Sequence, residues 1–301
     1  MSDLIQQLRD ILGDDGVLTG DDVRLRDNGW GHPEPCEAAA ILRPRSTAEV
    51  AALMARCHAE GRAVVAQGGL TGLVGAAIPA PGEIALSFER MNEIEEVDTA
   101  TRTITAQAGV PLQAIQERAD AEGFLFPLDL GARGSCTIGG NVATNAGGNR
   151  VIRYGMTRDL VLGVEAVLAD GTIVGSLNKV LKNNAGYDLK HLFIGSEGTL
   201  GIVTRVVLRL RPRPRSHNAA LVAVDDFARV TRLLAAAESG LGADLSAFEV
   251  MWEDFYRLTT TPPAKTAPPI PHGHAHYVLI EALGSAPESD ADHFEAVLAE
   301  A

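Results

Sequence analysis

Basic charge, paired cysteines and long apolar runs are all scarce in this sequence. Its 26 Lys and Arg stand against 39 Asp and Glu, a formal net charge of −13. That balance argues against nucleic acid or an anionic membrane as the main partner, since both need a basic footprint. An anion could still be held by local arginines, lysines or backbone N–H groups. The 3 cysteines, Cys36, Cys57 and Cys136, form an odd set without paired spacing, so a disulfide framework is not expected. A reducing compartment suits them, and the expectation is cytoplasmic. No apolar run approaches the ~18 residues of a membrane span. The amino-terminal MSDLIQQLRDILGDDG lacks the apolar core and small-residue cleavage site of a secretory signal.

Several catalytic and nucleotide motifs are missing too. There is no G-x-x-x-x-G-K-[ST], which removes a Walker-type loop, and no H-E-x-x-H or C-x-x-C pair. A Rossmann unit is disfavoured after Ala66. The helix it needs is blocked by Pro79 and Pro81, and no acidic residue follows at the expected spacing.

What remains is ordinary globular composition, 46% hydrophobic and 22% charged, in 301 residues that suffice for two domains. The first helix carries Leu4, Ile5, Leu8, Ile11 and Leu12 on one side, and residues 13–35 read as a connecting loop. Strands are expected at 39–42, 63–66, 83–88, 94–98 and 103–107. Between the first two lies a helix with Ser46 and Glu49 as a capping box and Val50, Leu53, Met54 and Cys57 as its buried stripe. Pro111 opens another helix that ends at Gly123. Asp170-Gly171 joins two strands as a hairpin, and a short helix and a long strand follow. Arg205, Arg209, Arg211, Arg213 and Arg215 alternate like one side of a strand, a solvated strand edge in preference to an anion site. After His217 the pattern restarts: strand 219–224, helix 227–237, strand 246–251, a Pro-rich loop at 262–271, strand 277–282 and helix 291–301. So thin a domain does not close its own core, which makes a truncated chain the expectation.

Glycine is what the sequence concentrates. Seven of the 25 residues from Gly131 to Gly155 are glycine, whereas the whole chain has 31 in 301. No helical or alternating period runs through this stretch, which therefore reads as irregular backbone. Two further Gly-rich segments, 68–75 and 195–201, each sit beside an expected strand. Successive N–H groups in such turns form anion-binding concavities, for which a phosphate-bearing cofactor is the natural occupant. Taken alone, the central stretch is also compatible with a Gly/Asn-rich surface loop. His272, His274 and His276 in PHGHAH have the spacing to share a strand face and hold a metal, but a solvated loop is the better reading. Cys136 reads as a small packed residue, and His191 as an ordinary satisfied histidine.

The runs QGGLTGLVGA (67–76), PLDLGARGSCTIGGNVATNAGGNRVIRYG (127–155) and NNAGYDLKHLFIGSEGTLGIVT (183–204) resemble the PCMH-type FAD-binding domain of the vanillyl-alcohol oxidase superfamily. Within it they are most similar to D-2-hydroxyglutarate dehydrogenases and their D-lactate and glycolate dehydrogenase relatives. The resemblance covers about residues 35–301 and is strongest over 127–204. It implies an α+β fold, with a PCMH-type domain of two α/β subdomains at 35–216 after an N-terminal helix and linker at 1–34. Residues 217–301 would be the first part of an α+β, ferredoxin-like cap.

The resemblance also implies site residues. Gln67, Gly68, Gly69, Leu70, Thr71 and Gly72 would wrap the FAD pyrophosphate. Pro127, Asp129, Gly131 and Ser135 would line the flavin. Gly139, Gly140, Asn141, Thr144, Asn145 and Ala146 would follow the ribityl and diphosphate, and Gly195, Glu197, Gly198, Gly201 and Ile202 the adenine and ribose. Asp129 and Glu197 read equally as turn caps. Relatives that tether flavin have a histidine after the first Gly-Gly; here it is Leu70, which implies non-covalent FAD. The implied reaction oxidises a D-2-hydroxyacid by hydride transfer to flavin N5. Electrons then pass to a quinone or electron-transfer flavoprotein, and a homodimer is expected. Full-length relatives place metal-binding histidines, with Asp-Gly-Asn neighbours, and a substrate arginine in the later cap. Nothing after residue 217 matches them, so no metal ligand or catalytic residue is assigned. The alternative is a FAD-binding subunit or remnant that needs a partner chain for activity.

Overall fold

The computed structural model describes residues 2–301. The chain divides into two units. One comprises residues 1–126, 130–146 and 156–211, and the other residues 127–129, 147–155 and 212–301. The central glycine-rich stretch is thus shared between them.

The first unit begins with α1 (Ser2–Leu12), β1 (Val17–Leu18) and α2 (Asp21–Arg24). Next come β2 (Ala40–Leu42), α3 (Thr47–Ala59), β3 (Val64–Gln67) and β4 (Ile84–Ser87). These strands make a sheet in the order β1-β2-β4-β3, with β2, β4 and β3 parallel and β1 antiparallel at the edge. The helix α3 starts as its sequence dictates: Ser46 accepts a hydrogen bond from the Glu49 amide at 3.2 Å. The expected capping box closes one residue earlier than expected, since the Glu49 carboxylate accepts from the Arg45 amide at 2.7 Å. Val50, Leu53, Met54 and Cys57 are buried against Leu4, Leu8 and Leu12 of α1 and against Ile84 and Leu86 of β4. Each such side chain contributes about 1.5–3 kcal/mol through burial.

The expected connecting loop at 13–35 instead contains a short 3-10 turn, β1 and α2. Val17 is buried in the core that α1 covers, and Val23 is buried on the other side of the sheet with Cys36 and Ile41. Val17 and Val23 stand among many Gly and Asp without setting a period, yet they suffice to dock the segment.

A second sheet uses β5 (Ile94–Asp98) and β6 (Thr103–Gln107), after which α4 (Leu112–Ala121), β7 (Phe124–Leu125) and α5 (Ile138–Ala143) intervene. Then come α6 (Val151–Tyr154), which belongs to the other unit, α7 (Thr157–Leu160), β8 (Val161–Val167), β9 (Ile173–Ser176), α8 (Lys190–Phe193) and β10 (Ile202–Arg209). The sheet is antiparallel throughout, in the order β5-β6-β10-β8-β9. Because β10 is its central strand, Arg205 is not on a solvated edge. Its guanidinium pairs with Glu95 of β5 and, at 3.5 Å, with Glu165 of β8. The stretch read as irregular backbone contains α5 and α6, turns of helix too short for a period to show.

The second unit continues after β11 (Arg211–Pro212) with β12 (Ser216–Val224), α9 (Phe227–Leu241), β13 (Leu245–Trp252), α10 (Glu253–Thr260), β14 (His276–Gly284) and α11 (Asp290–Glu300). Its antiparallel sheet runs β12-β14-β13. Val278, Ile280 and Ala282 of β14 form a core with Val230, Leu233, Ala237 and Leu241 of α9 and Phe294 of α11. These side chains are buried, although so thin a domain was expected not to close its own core. The helix α10 was not read from the sequence. Its apolar Phe255 and Leu258 are exposed, and the buried Tyr256 ring stacks on Tyr277 at 3.7 Å between centroids.

Candidate functional site

The three glycine-rich turns meet around one cavity of about 400 Å³ in the first unit. From the first turn Gly68, Gly69, Leu70, Thr71 and Gly72 line it. The central stretch contributes Gly131, Gly139, Gly140, Asn141, Thr144 and Ala146, and the third turn Glu197, Gly198, Gly201 and Ile202. All of these are among the site residues expected from the sequence. Its size lies within the usual range for a small-molecule or cofactor site.

The glycines do two different jobs. A Cβ on Gly68 would fall 2.5 Å from the Thr137 hydroxyl, one on Gly139 2.5 Å from the Ala108 methyl, and one on Gly201 2.8 Å from the Phe193 ring. A Cβ on Gly69 would overlap the Ser135 carbonyl oxygen. Gly68 and Gly69 let the first turn seat against the central stretch, and Gly139 and Gly201 let their turns seat against Ala108 and Phe193. Gly72 and Gly131, by contrast, have nothing within 4 Å of a Cβ, and so does Gly198 out to 3.9 Å. Their bare backbone borders open space.

Each turn also contains a non-glycine residue in the left-handed region: Leu70 (φ 54°), Asn145 (φ 49°) and Glu197 (φ 51°). Asn tolerates this conformation, but for Leu and Glu it costs free energy that surrounding structure must offset. The third turn is tied to α5, with the Gly195 amide donating to the Val142 carbonyl at 3.1 Å and the Glu197 amide to the Ala143 carbonyl at 2.9 Å. The Gly139 amide in turn donates to the Ala108 carbonyl at 2.8 Å. The amides of Gly68, Gly69, Leu70, Thr71 and Gly72 donate no hydrogen bond to any described residue. A run of free donors beside a cavity is a ready seat for phosphate oxygens.

Other expected residues stand behind the wall. Gln67 is buried and donates to the Ala77 carbonyl at 3.0 Å. The Asn145 side chain accepts from the Arg158 amide at 3.0 Å. Ser135 supports Gly69 through its backbone, and Gly195 has φ +84°. Pro127 and Asp129 lie in the second unit, where Asp129 faces Arg150 at 3.7 Å. Arg150 also meets Glu281 at 3.5 Å. The cavity has wall residues that were missed in the sequence as well: Asn28, His32, Ala76, Ile78, Phe88 and Ala108. Asn28 and His32 fall within the supposed connecting loop.

Cys136 is buried in the cavity wall, and burial pushes its thiol pKa up, against a lesser pull from Asn141. His191 is lowered by desolvation and by the charge of Lys190, and contacts the Arg158 guanidinium at 3.1 Å. The PHGHAH histidines do not converge. His272 meets the Thr260 hydroxyl at 2.8 Å, His274 meets Asp225 at 3.1 Å, and His276 packs against both the Phe227 and Trp252 rings. Among the described residues no His, Cys, Asp or Glu cluster could hold a metal, and no helix is long and apolar enough to cross a membrane.

Does this cavity suit a flavin dinucleotide? Three buried oxygens in its wall, Asn28 Oδ1, Thr137 Oγ1 and Asn141 Oδ1, have no hydrogen-bond partner, and the first turn offers its free amides. Those are the polar contacts a pyrophosphate and a ribityl chain would take up. The fold and the cavity define a nucleotide-cofactor-binding α+β protein. Residues 38–176 of the chain match the family described as FAD binding domain.

Over 299 residues the chain is 42% identical to the probable mitochondrial D-2-hydroxyglutarate dehydrogenase of Oryza sativa subsp. indica, covering 99% of this chain and 54% of that protein. It is 46% identical over 252 residues to the mitochondrial D-2-hydroxyglutarate dehydrogenase of Bos taurus, covering 84% of this chain and 46% of the other. The chain therefore spans about half the length of the curated relatives it matches. Among solved structures, alkyldihydroxyacetonephosphate synthase superposes with a TM-score of 0.81 at 20% identity, over 99% of this chain and 58% of that one. That likeness shows a shared fold.

Proposed function

We propose that this chain binds FAD non-covalently and serves the oxidation of a D-2-hydroxyacid of the 2-hydroxyglutarate or lactate class. The observation that carries the reading is the run of undonated amides from Gly68 to Gly72, set in a cavity wall shared with the two other glycine turns. In this reading residues 35–216 are the FAD-binding domain and 217–301 the beginning of a cap. The first turn holds the pyrophosphate. Gly139, Gly140, Asn141 and Thr144 follow the ribityl chain, and Glu197, Gly198 and Ile202 border the adenine and ribose. Phe88, Ala108 and Ile78 keep water from the cavity's apolar side.

Bound FAD supplies an acceptor, at N5, for the hydride that leaves the substrate α-carbon. The protein's part is to orient the cofactor against the substrate and to exclude solvent. The names of the relatives support 2-hydroxyglutarate as the first acid to test. A quinone or electron-transfer flavoprotein as acceptor, and a homodimer, belong to the same reading. Three free, buried cysteines suit a reducing compartment. Our reading is cytoplasmic, although the plant and mammalian relatives carry the word mitochondrial in their names.

Coverage of only about half of each relative favours one second reading: a FAD-binding chain that turns over substrate only with a further polypeptide. Loading the purified chain with FAD and assaying D-2-hydroxyglutarate, D-lactate and glycolate with an artificial acceptor dye separates the two. Turnover supports the first reading. Bound FAD without turnover supports the second, and failure to bind FAD defeats both.

A further inference from the structure

Resting on the reading of the cavity as a FAD site, we propose that the segment around Asn28, which precedes the matched residues 38–176, is part of the cofactor-binding wall. Asn28 would accept a hydrogen bond from the cofactor through its side-chain oxygen.

Asn28 is 6% exposed and lines the cavity together with His32. Its Nδ2 donates to the Glu34 carbonyl at 2.8 Å, which fixes the amide's orientation, and its Oδ1 is left buried with no partner. An unpaired buried acceptor is costly, and such groups in a binding wall are commonly satisfied by what binds there. FAD carries polar hydrogens of the right kind, on the flavin N3, the adenine exocyclic amine and the ribityl and ribose hydroxyls.

The segment is built against the first glycine turn. Gly29, at φ +113°, comes so close that a Cβ would fall 2.9 Å from the Leu70 carbonyl oxygen. The Trp30 amide donates to that same oxygen at 3.4 Å. Asp27 Oδ1 accepts from the Gly29 amide at 2.9 Å, and Arg26 forms an ion pair with Glu89, the neighbour of the cavity residue Phe88. Asn28 is therefore held in place from both sides by contacts that do not use its Oδ1.

The test uses the whole chain and FAD. Hydrogen exchange is followed with and without FAD in the unaltered protein, and FAD affinity is measured for it and for Asn28→Ala by flavin absorbance or fluorescence. The expected result is slowed exchange in residues 26–34 as well as in the three turns, with affinity about five- to tenfold weaker in the variant, the worth of one hydrogen bond. Protection of the three turns without change in 26–34 would overturn the inference and leave the FAD reading intact. So would an Asn28→Ala chain that folds and binds FAD as tightly as the original. No protection anywhere and no binding would defeat the FAD reading itself. Should Asn28→Ala fail to fold, the exchange measurement still decides.

Discussion

Gly69 lies so close to Ser135 that a methyl group on the glycine would overlap the serine's carbonyl oxygen. The first turn is thereby seated against the start of the central stretch. Replacing Gly69 with Ala should cost the fold about 1–3 kcal/mol through overpacking, and the thermal midpoint should fall by several degrees. Gly72, in the same turn, has nothing within 4 Å of a Cβ. Gly72→Ala should leave stability within about 0.5 kcal/mol while weakening FAD by about tenfold or more, or ~1.4 kcal/mol. Thermal melts of the apo chain and FAD titrations of both variants check this contrast. Equal effects of the two changes would contradict it.

Leu70 occupies the position after the first Gly-Gly and offers no nucleophile to a flavin. Acid precipitation of the loaded protein should release all yellow colour into the supernatant. Colour retained in the washed pellet would refute non-covalent attachment.

Glu89 ties the Asn28 segment to the sheet. Burial works to raise its carboxyl pKa, but the hydrogen bonds and charges of Arg43 and Arg26 outweigh it and hold the pKa below the usual value. A carboxylate depressed in the folded state adds stability that is fully present above its unfolded pKa. That stability is lost as pH falls through the lower, folded value. Chemical melts of the chain and of Glu89→Gln should therefore differ at neutral pH and converge in acid. A gap that widens on acidification would contradict this. Because the group is over a third exposed, the gap should be small.

Burial pushes the Cys57 thiol up to about 11 and raises that of Cys136 as well, and Cys36 is buried too. A thiol reagent at mildly alkaline pH should label the native chain slowly and the unfolded chain at all 3 cysteines. Since Cys136 is in the cavity wall, FAD should slow its labelling further and leave that of Cys57 unchanged. Mass spectrometry of the labelled peptides reads this out. Fast native labelling of Cys136 in the presence of FAD would count against the site.

Much of this was legible in the sequence because local rules agreed with the tertiary result. The cap and stripe of α3, the Asp170-Gly171 hairpin and the glycine turns each have a local physical cause that composition and spacing expose. What stayed hidden depends on partners distant in the chain. Asn28 reaches the cavity because Gly29 backs onto Leu70, a pairing that no window of residues contains. Arg205 looked like an edge residue because alternation reports a strand's faces and not its place in the sheet. The free Gly cradle and the packing glycines look identical in sequence. Only the position of Thr137, Ser135 and Ala108 separates Gly68, Gly69 and Gly139 from Gly72 and Gly131.

The amide cradle is tested most directly by titrating the apo chain with FAD and, separately, with riboflavin, which keeps the isoalloxazine and ribityl chain but has no phosphate. One FAD should bind per chain, at least about a hundredfold tighter than riboflavin, a difference of ~2.8 kcal/mol shared between the amides of residues 68–72 on the diphosphate and the third turn on the adenosine. Equal affinity for the two ligands, or no binding of FAD, would contradict it.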